Sequence, residues 1–209
     1  MAATQERGAK AGRWGGRISL SGLLLLCVSF FLPQDRFGVP AAETVSSWDF
    51  LVLWGLPFLF GFIGLPFRLL RWVFESDKRR AAAVATILSF SCVVLLCAGS
   101  ILMWTWAAKA HLTDSWVLAS LIVTVLMVSS VAALARCRAS RRFPLAFFHC
   151  GTACLAYFLY VGLVDPEDTY YGLWVSVLAS LLISAGSFVE AIRAHSKDTG
   201  RSYRYVRRW

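Results

Sequence analysis

The sequence predicts an all-α membrane protein: six transmembrane helices, N-terminus and C-terminus cytoplasmic, and no soluble domain. Three observations carry that prediction. The 209 residues are 58% apolar with a mean hydropathy of +0.62, well above a soluble chain. Only 16% are charged, and those fall in clumps between apolar runs long enough to cross a bilayer at ~1.5 Å per residue. The third is the placing of the basic residues: 19 of the 21 Lys and Arg fall in segments assigned to one side of the membrane, leaving Arg36 and Lys109 on the other. That bias marks the cytoplasmic side.

Residues 1 to 17 are polar and glycine-rich, with Arg7, Lys10, Arg13 and Arg17, and read as a disordered basic cytoplasmic tail. The six-helix domain then occupies 18–192. The first span, 18–33, is short. A basic stretch followed by an apolar run also fits a signal peptide, with Val39-Pro40-Ala41 as its cleavage site. Asp35 and Arg36 and the long gap after the apolar run argue against it.

The second span, 50–72, is the most distinctive. It carries two Gly-Leu-Pro-Phe tetrads, Gly55 to Phe58 and Gly64 to Phe67, with Trp48 and Trp72 at its edges, where indole rings favour the headgroup level. Pro57 and Pro66 each remove a helical hydrogen bond, so this span reads as kinked. Gly55, Gly61 and Gly64 allow a neighbouring helix to come close. A broken helix lining a substrate site is the sharper reading, but no other span repeats the double interruption. After it, Leu69, Leu70, Val73 and Phe74 alternate with Arg68, Arg71, Glu75 and Lys78 at helical spacing. Arg68 and Arg71 read as snorkelling cations, and the segment to Arg80 as a helix lying along the inner interface.

The third span is 84–106 and the fourth 116–135, joined by a tight outer turn at Lys109 to Asp114. Arg136, Arg138, Arg141 and Arg142 form an inner loop. Pro144 suits the first turn of the fifth span, 145–164. The sixth is 173–192, and 193–209 is a basic cytoplasmic tail. Val117 to Leu121 recurs as Val177 to Leu181, too short an echo to establish a repeat. Trp48, Trp104, Trp106, Trp116 and Trp174 gather at the outer edge, in agreement with the charge pattern.

Candidate chemistry is sparse. His149 and Glu190 fall at the same depth if spans five and six form an antiparallel hairpin, and an intramembrane ionisable pair suggests a proton relay or polar substrate contact. The plainer reading lets Glu190 snorkel to Arg193 and His149 bond a backbone carbonyl. His149, Cys150 and Cys154 share a helix, but match no metal-site spacing, so no metal and no cofactor is expected. The six cysteines avoid the outer loops, which excludes a disulfide framework. Asp165-Pro166-Glu167-Asp168 reads as a helix start rather than a cation site. Ser176, Ser180, Ser184 and Ser187, continued by Ala191, form a small-residue stripe suited to helix packing rather than to a pore. Arg201, Arg204, Arg207 and Arg208, interleaved with aromatics, suit anionic lipid headgroups at the cytoplasmic face. Nucleic acid is not expected as a partner. No His-Glu-x-x-His, Gly-x-Ser-x-Gly, Walker or dinucleotide fingerprint occurs.

The expected function is therefore a non-catalytic accessory or assembly subunit of a membrane complex, with a protein partner or a homo-oligomer. A small transporter or channel using the His149/Glu190 level is the alternative, and a membrane-embedded enzyme the third. The expected location is a bacterial cytoplasmic membrane.

Overall fold

A computed structural model describes residues 2–34, 40, 55–74, 78–109, 114–137, 139–164 and 170–206. Among these the chain forms six helices and no strand: α1 (Ala2–Ser29), α2 (Leu56–Val73), α3 (Lys78–Lys109), α4 (Asp114–Arg136), α5 (Ala139–Val164) and α6 (Tyr171–Val206). Three contain stretches long and apolar enough to cross a membrane: Arg79–Thr105, Arg141–Leu163 and Tyr171–Ser196. Trp14–Ser29 and Ser120–Ala133 are shorter apolar helical stretches.

Neighbours in sequence pack side by side, and α6 closes back onto α1 in the most extensive contact of the bundle. The reason lies in small residues. Gly15, Ser19 and Gly22 recur on one face of α1, and Ala179, Ile183 and Gly186 on one face of α6. A Cβ added at Gly22 would stand 2.8 Å from the Ala179 carbonyl oxygen, and one at Gly186 would stand 2.5 Å from the Ser19 backbone nitrogen. The two backbones therefore touch, which only glycine at these crossings permits. Hydroxyl pairs flank the crossing: Ser19 with Ser187 at 3.2 Å and Ser29 with Ser176 at 2.9 Å. At the end marked by Ser29, the Gly172 N–H donates to the Pro33 carbonyl and the Tyr170 N–H to the Gln34 carbonyl, tying the exit of α1 to the entrance of α6.

The core is lined by α1, α2, α3, α5 and α6. It centres on Phe143, Phe147 and Phe158 of α5, with Leu23, Leu26, Phe58, Phe60, Leu88, Leu173 and Ile183 around them. Between α2 and α5 the contact is made by rings, Phe60 on Phe147 at 5.2 Å and Phe58 on Phe158 at 6.0 Å between centroids. α4 lies at the margin, against α3 and α5, with Leu118, Leu121, Val125 and Val128 exposed. Ser100 and Trp104 of α3 both bond the Thr124 hydroxyl of α4.

Several local expectations need correction. The segment 1–17 read as disordered is helical from Ala2: its Ala, Gln, Glu, Arg and Lys are adequate helix formers, and the packed turns that follow supply the nucleus that a short helix lacks. The segment 68–80, expected as one interfacial helix, is divided between two helices among the described residues, and 75–77 lie outside them. α2 ends at Val73, and Lys78 to Arg80 already belong to α3. Pro144 is not in the first turn of its helix, because α5 begins at Ala139; the proline is inside and buried in the core. Pro57 sits in the first turn of α2, where its missing N–H costs no intrahelical bond, so Pro66 is the one proline inside that helix. The final tail continues α6 as helix to Val206.

Candidate functional site

The polar centre of the bundle is an ion pair between α2 and α6. Gly61, Gly64 and Arg68 lie at heptad spacing on one face of α2. Gly61 packs on Leu26, and Gly64 on Leu23 and Phe147. The same face carries Arg68 inward, so it does not snorkel away. Its side chain is 7% exposed, and its Nη2 donates to Glu190 Oε2 at 2.8 Å and, more weakly, to the Gly16 carbonyl at 3.4 Å. Glu190 is four residues beyond Gly186, on the α6 face that meets α1. Gly16 leaves room for the carboxylate: a Cβ there would stand 2.9 Å from Glu190 Oε1. The Arg68 guanidinium also lies over Phe143 and Phe147, 5.2 and 5.4 Å from their centroids, and Arg71 lies 4.0 Å from Phe143. The charged pair is thus enclosed by three glycine-bearing helices and two aromatic rings. Such an enclosure strengthens the attraction, since little water screens it, and makes either partner alone expensive.

The candidate pair His149 and Glu190 is not brought together. Glu190 is bonded to Arg68, and no hydrogen bond or ion pair joins it to His149 among the described residues. The reason is helical phase. α5 meets α6 through Phe148, which packs on Phe188 at 5.5 Å, and through Gly151, where a Cβ would stand 2.8 Å from the Ser184 hydroxyl. His149, one residue after Phe148 and two before Gly151, is turned roughly 100° or more from that face, at 100° per residue. It is buried, its ring meets Phe148 edge-on, and its Nδ1 has no hydrogen-bond partner among the described residues.

The three buried thiols, Cys92, Cys150 and Cys154, approach one another between α3 and α5, with the Cys150 thiol donating to the Cys92 carbonyl at 3.4 Å. Among the described residues no group of three His, Cys, Asp or Glu side chains is placed to hold a metal ion. The serine stripe divides its contacts: Ser176 and Ser187 bond α1, while Ser184 lies against Gly151 and Thr152 of α5. Arg201 and Arg204 continue the backbone of α6, and Arg207 and Arg208 lie outside the described residues, as do Asp165, Pro166, Glu167 and Asp168. Gly55 directly precedes α2.

One cavity, about 70 Å³, opens between α2, α3 and α5, with Val123 of α4 completing its lining. Its floor is Phe60, Ala153, Cys154 and Tyr157; its half-buried rim is Leu56, Leu95, Gly99 and Met103. No charged residue lines it.

No match was found among protein-family models, curated proteins or solved structures.

Sequence reasoning passed over Arg68 as a functional residue. The signal was present: Arg68 stands seven residues after Gly61 and four after Gly64, on the packing face those glycines mark.

Proposed function

We propose that the chain is a six-span protein of a bacterial cytoplasmic membrane, both termini inside, acting as a non-catalytic accessory or assembly subunit. The observation that carries this reading is that three interior polar contacts each tie one helix to another, while Arg68 Nη1, Ser130 Oγ and Ser180 Oγ are buried without a hydrogen-bond partner among the described residues. Arg68 is committed to Glu190, Ser19 to Ser187, and Ser29 to Ser176, each joining one helix to another. A transport path needs polar groups that face a hydrated route and exchange partners with the cargo. Here the cavity is apolar and Glu190, half of the proposed polar level, is already neutralised. Both facts favour a packing role over transport.

The partition of 19 Lys and Arg against two supports the orientation. Arg201, Arg204, Arg207 and Arg208 then lie beneath the inner leaflet, where each basic residue contributes ~1 kcal/mol toward anionic headgroups.

The test is mild extraction into nanodiscs at native expression level, followed by mass spectrometry of the intact assembly. A stoichiometric larger protein partner is the expected result. A homo-oligomer carrying lipid alone overturns the accessory reading.

A further inference from the structure

The cavity between α2, α3 and α5 combines three features. Its lining from α3, Leu95 to Met103, and from α5, Cys150 to Tyr157, belongs to two of the stretches long and apolar enough to cross a membrane. Its mouth follows the seam between α2 and α3, because the half-buried residues Leu56, Leu95, Gly99 and Met103 all stand on that side. Gly99 holds the mouth open: a Cβ there would meet only Leu56 Cδ1, at an ordinary 3.4 Å. The lining is largely apolar: its polar side-chain atoms are the Tyr157 hydroxyl and the Cys150 and Cys154 thiols, and the Cys150 thiol donates to the Cys92 carbonyl. Phe60 of the floor packs on Phe147, whose ring also lies under the Arg68 guanidinium; neither Arg68 nor Glu190 lines the cavity.

We propose that this slot takes the terminal segment of one hydrocarbon tail of a membrane lipid, entering sideways between α2 and α3 with the rest of the chain and its headgroup left outside. The inference rests on the membrane reading above. Within a bilayer the surrounding solvent is hydrocarbon, so an apolar slot open to it is filled by a chain rather than by water, which needs two or more polar partners. An uncharged lining, apolar but for the Tyr157 hydroxyl and two thiols, matches a tail and offers a headgroup phosphate no cation.

The test uses the full-length protein in bilayers doped with phospholipids bearing a photoreactive diazirine, either at mid-chain or beside the headgroup. Cross-linked peptides are mapped by mass spectrometry. Ala153, Cys154 and Tyr157 are buried from the outer surface, so label there requires a tail inside the slot. The expected result is labelling by the mid-chain probe at Ala153, Cys154 or Tyr157 within 150–157, resolved from the half-buried Thr152, Leu155 and Ala156 by fragment ions, several-fold weaker with the headgroup probe, and reduced several-fold in Gly99→Phe. Exposed Leu118, Leu121 and Val125 of α4 serve as the reference and keep their label in every variant. Because the comparison of the two probes is made on the unaltered protein, it stands even if Gly99→Phe fails to fold. Equal labelling of those three buried residues by both probes, or none while α4 is labelled, overturns the proposal; a second copy or partner filling the slot gives the latter. No label on α4 either would instead overturn the membrane reading itself.

Discussion

Arg68 and Glu190, 122 residues apart in the chain, meet at 2.8 Å between α2 and α6, the arginine side chain 7% exposed and the glutamate 18%. The pair joins the helix that carries the Gly-Leu-Pro-Phe tetrads to the helix that packs along α1. It does so where Gly16 of α1 leaves space for the carboxylate, so three helices converge on one interaction. Neither residue has another ionic partner in the described part of the chain.

Breaking the pair from one side leaves a buried charge uncompensated. Arg68→Met or Glu190→Gln alone should each destabilise the protein by ~3 kcal/mol, the lower end for a buried pair because Glu190 is partly exposed. Arg68→Met combined with Glu190→Gln should recover most of that loss, since no unpaired charge remains. Thermal unfolding in a fixed detergent, read as a double-mutant cycle, measures the coupling. Additive losses in the double variant would show that the two side chains do not act as a pair.

The α1–α6 crossing depends on glycine at Gly22 and Gly186. Gly186→Leu should abolish folded protein on size exclusion, because even a Cβ would stand 2.5 Å from the Ser19 nitrogen and the obstacle is backbone. Gly99→Ala should leave the elution profile unchanged, its Cβ meeting one flexible leucine methyl at 3.4 Å. A tolerated Gly186→Leu would mean that the helices cross elsewhere.

Sidedness is checked by single cysteines placed in a background with the six native cysteines replaced by alanine or serine. A cysteine replacing Lys109 should react with a membrane-impermeant thiol reagent in intact spheroplasts. One replacing Lys197 should react only after permeabilisation. The reverse pattern inverts the topology, and reaction of both in intact cells rules out an odd number of spans between them.

Much of the fold was legible before any tertiary information. The helices α3, α5 and α6 each contain a membrane-length apolar stretch where one was expected, because apolar run length is a local property displayed in one dimension; α4 is helical where a span was expected, but its apolar stretch, Ser120–Ala133, is shorter. The serine stripe on α6 was legible for the same reason: a repeat of four residues draws a line on a helix without knowledge of its neighbour. Helix ends were less so. Ala2, Ala139 and Val206 extend helices beyond their apolar runs, since hydropathy stops at the membrane surface whereas backbone hydrogen bonding does not.

The pairing of charges was not legible at all. Depth along the membrane, which puts His149 and Glu190 level, follows from counting residues from a turn. Azimuth around the helix decides which side chains meet, and it depends on which face each helix turns to its neighbours. Gly151 and Phe148 turn α5 toward α6 and carry His149 aside; Gly61 and Gly64 turn α2 inward and carry Arg68 to Glu190. Composition and periodicity were thus sufficient for an all-helical chain with membrane-length apolar helices. The partner of each buried polar group came only with the packing, because contact between helices is set by the small residues that let two backbones touch and not by distance along the chain.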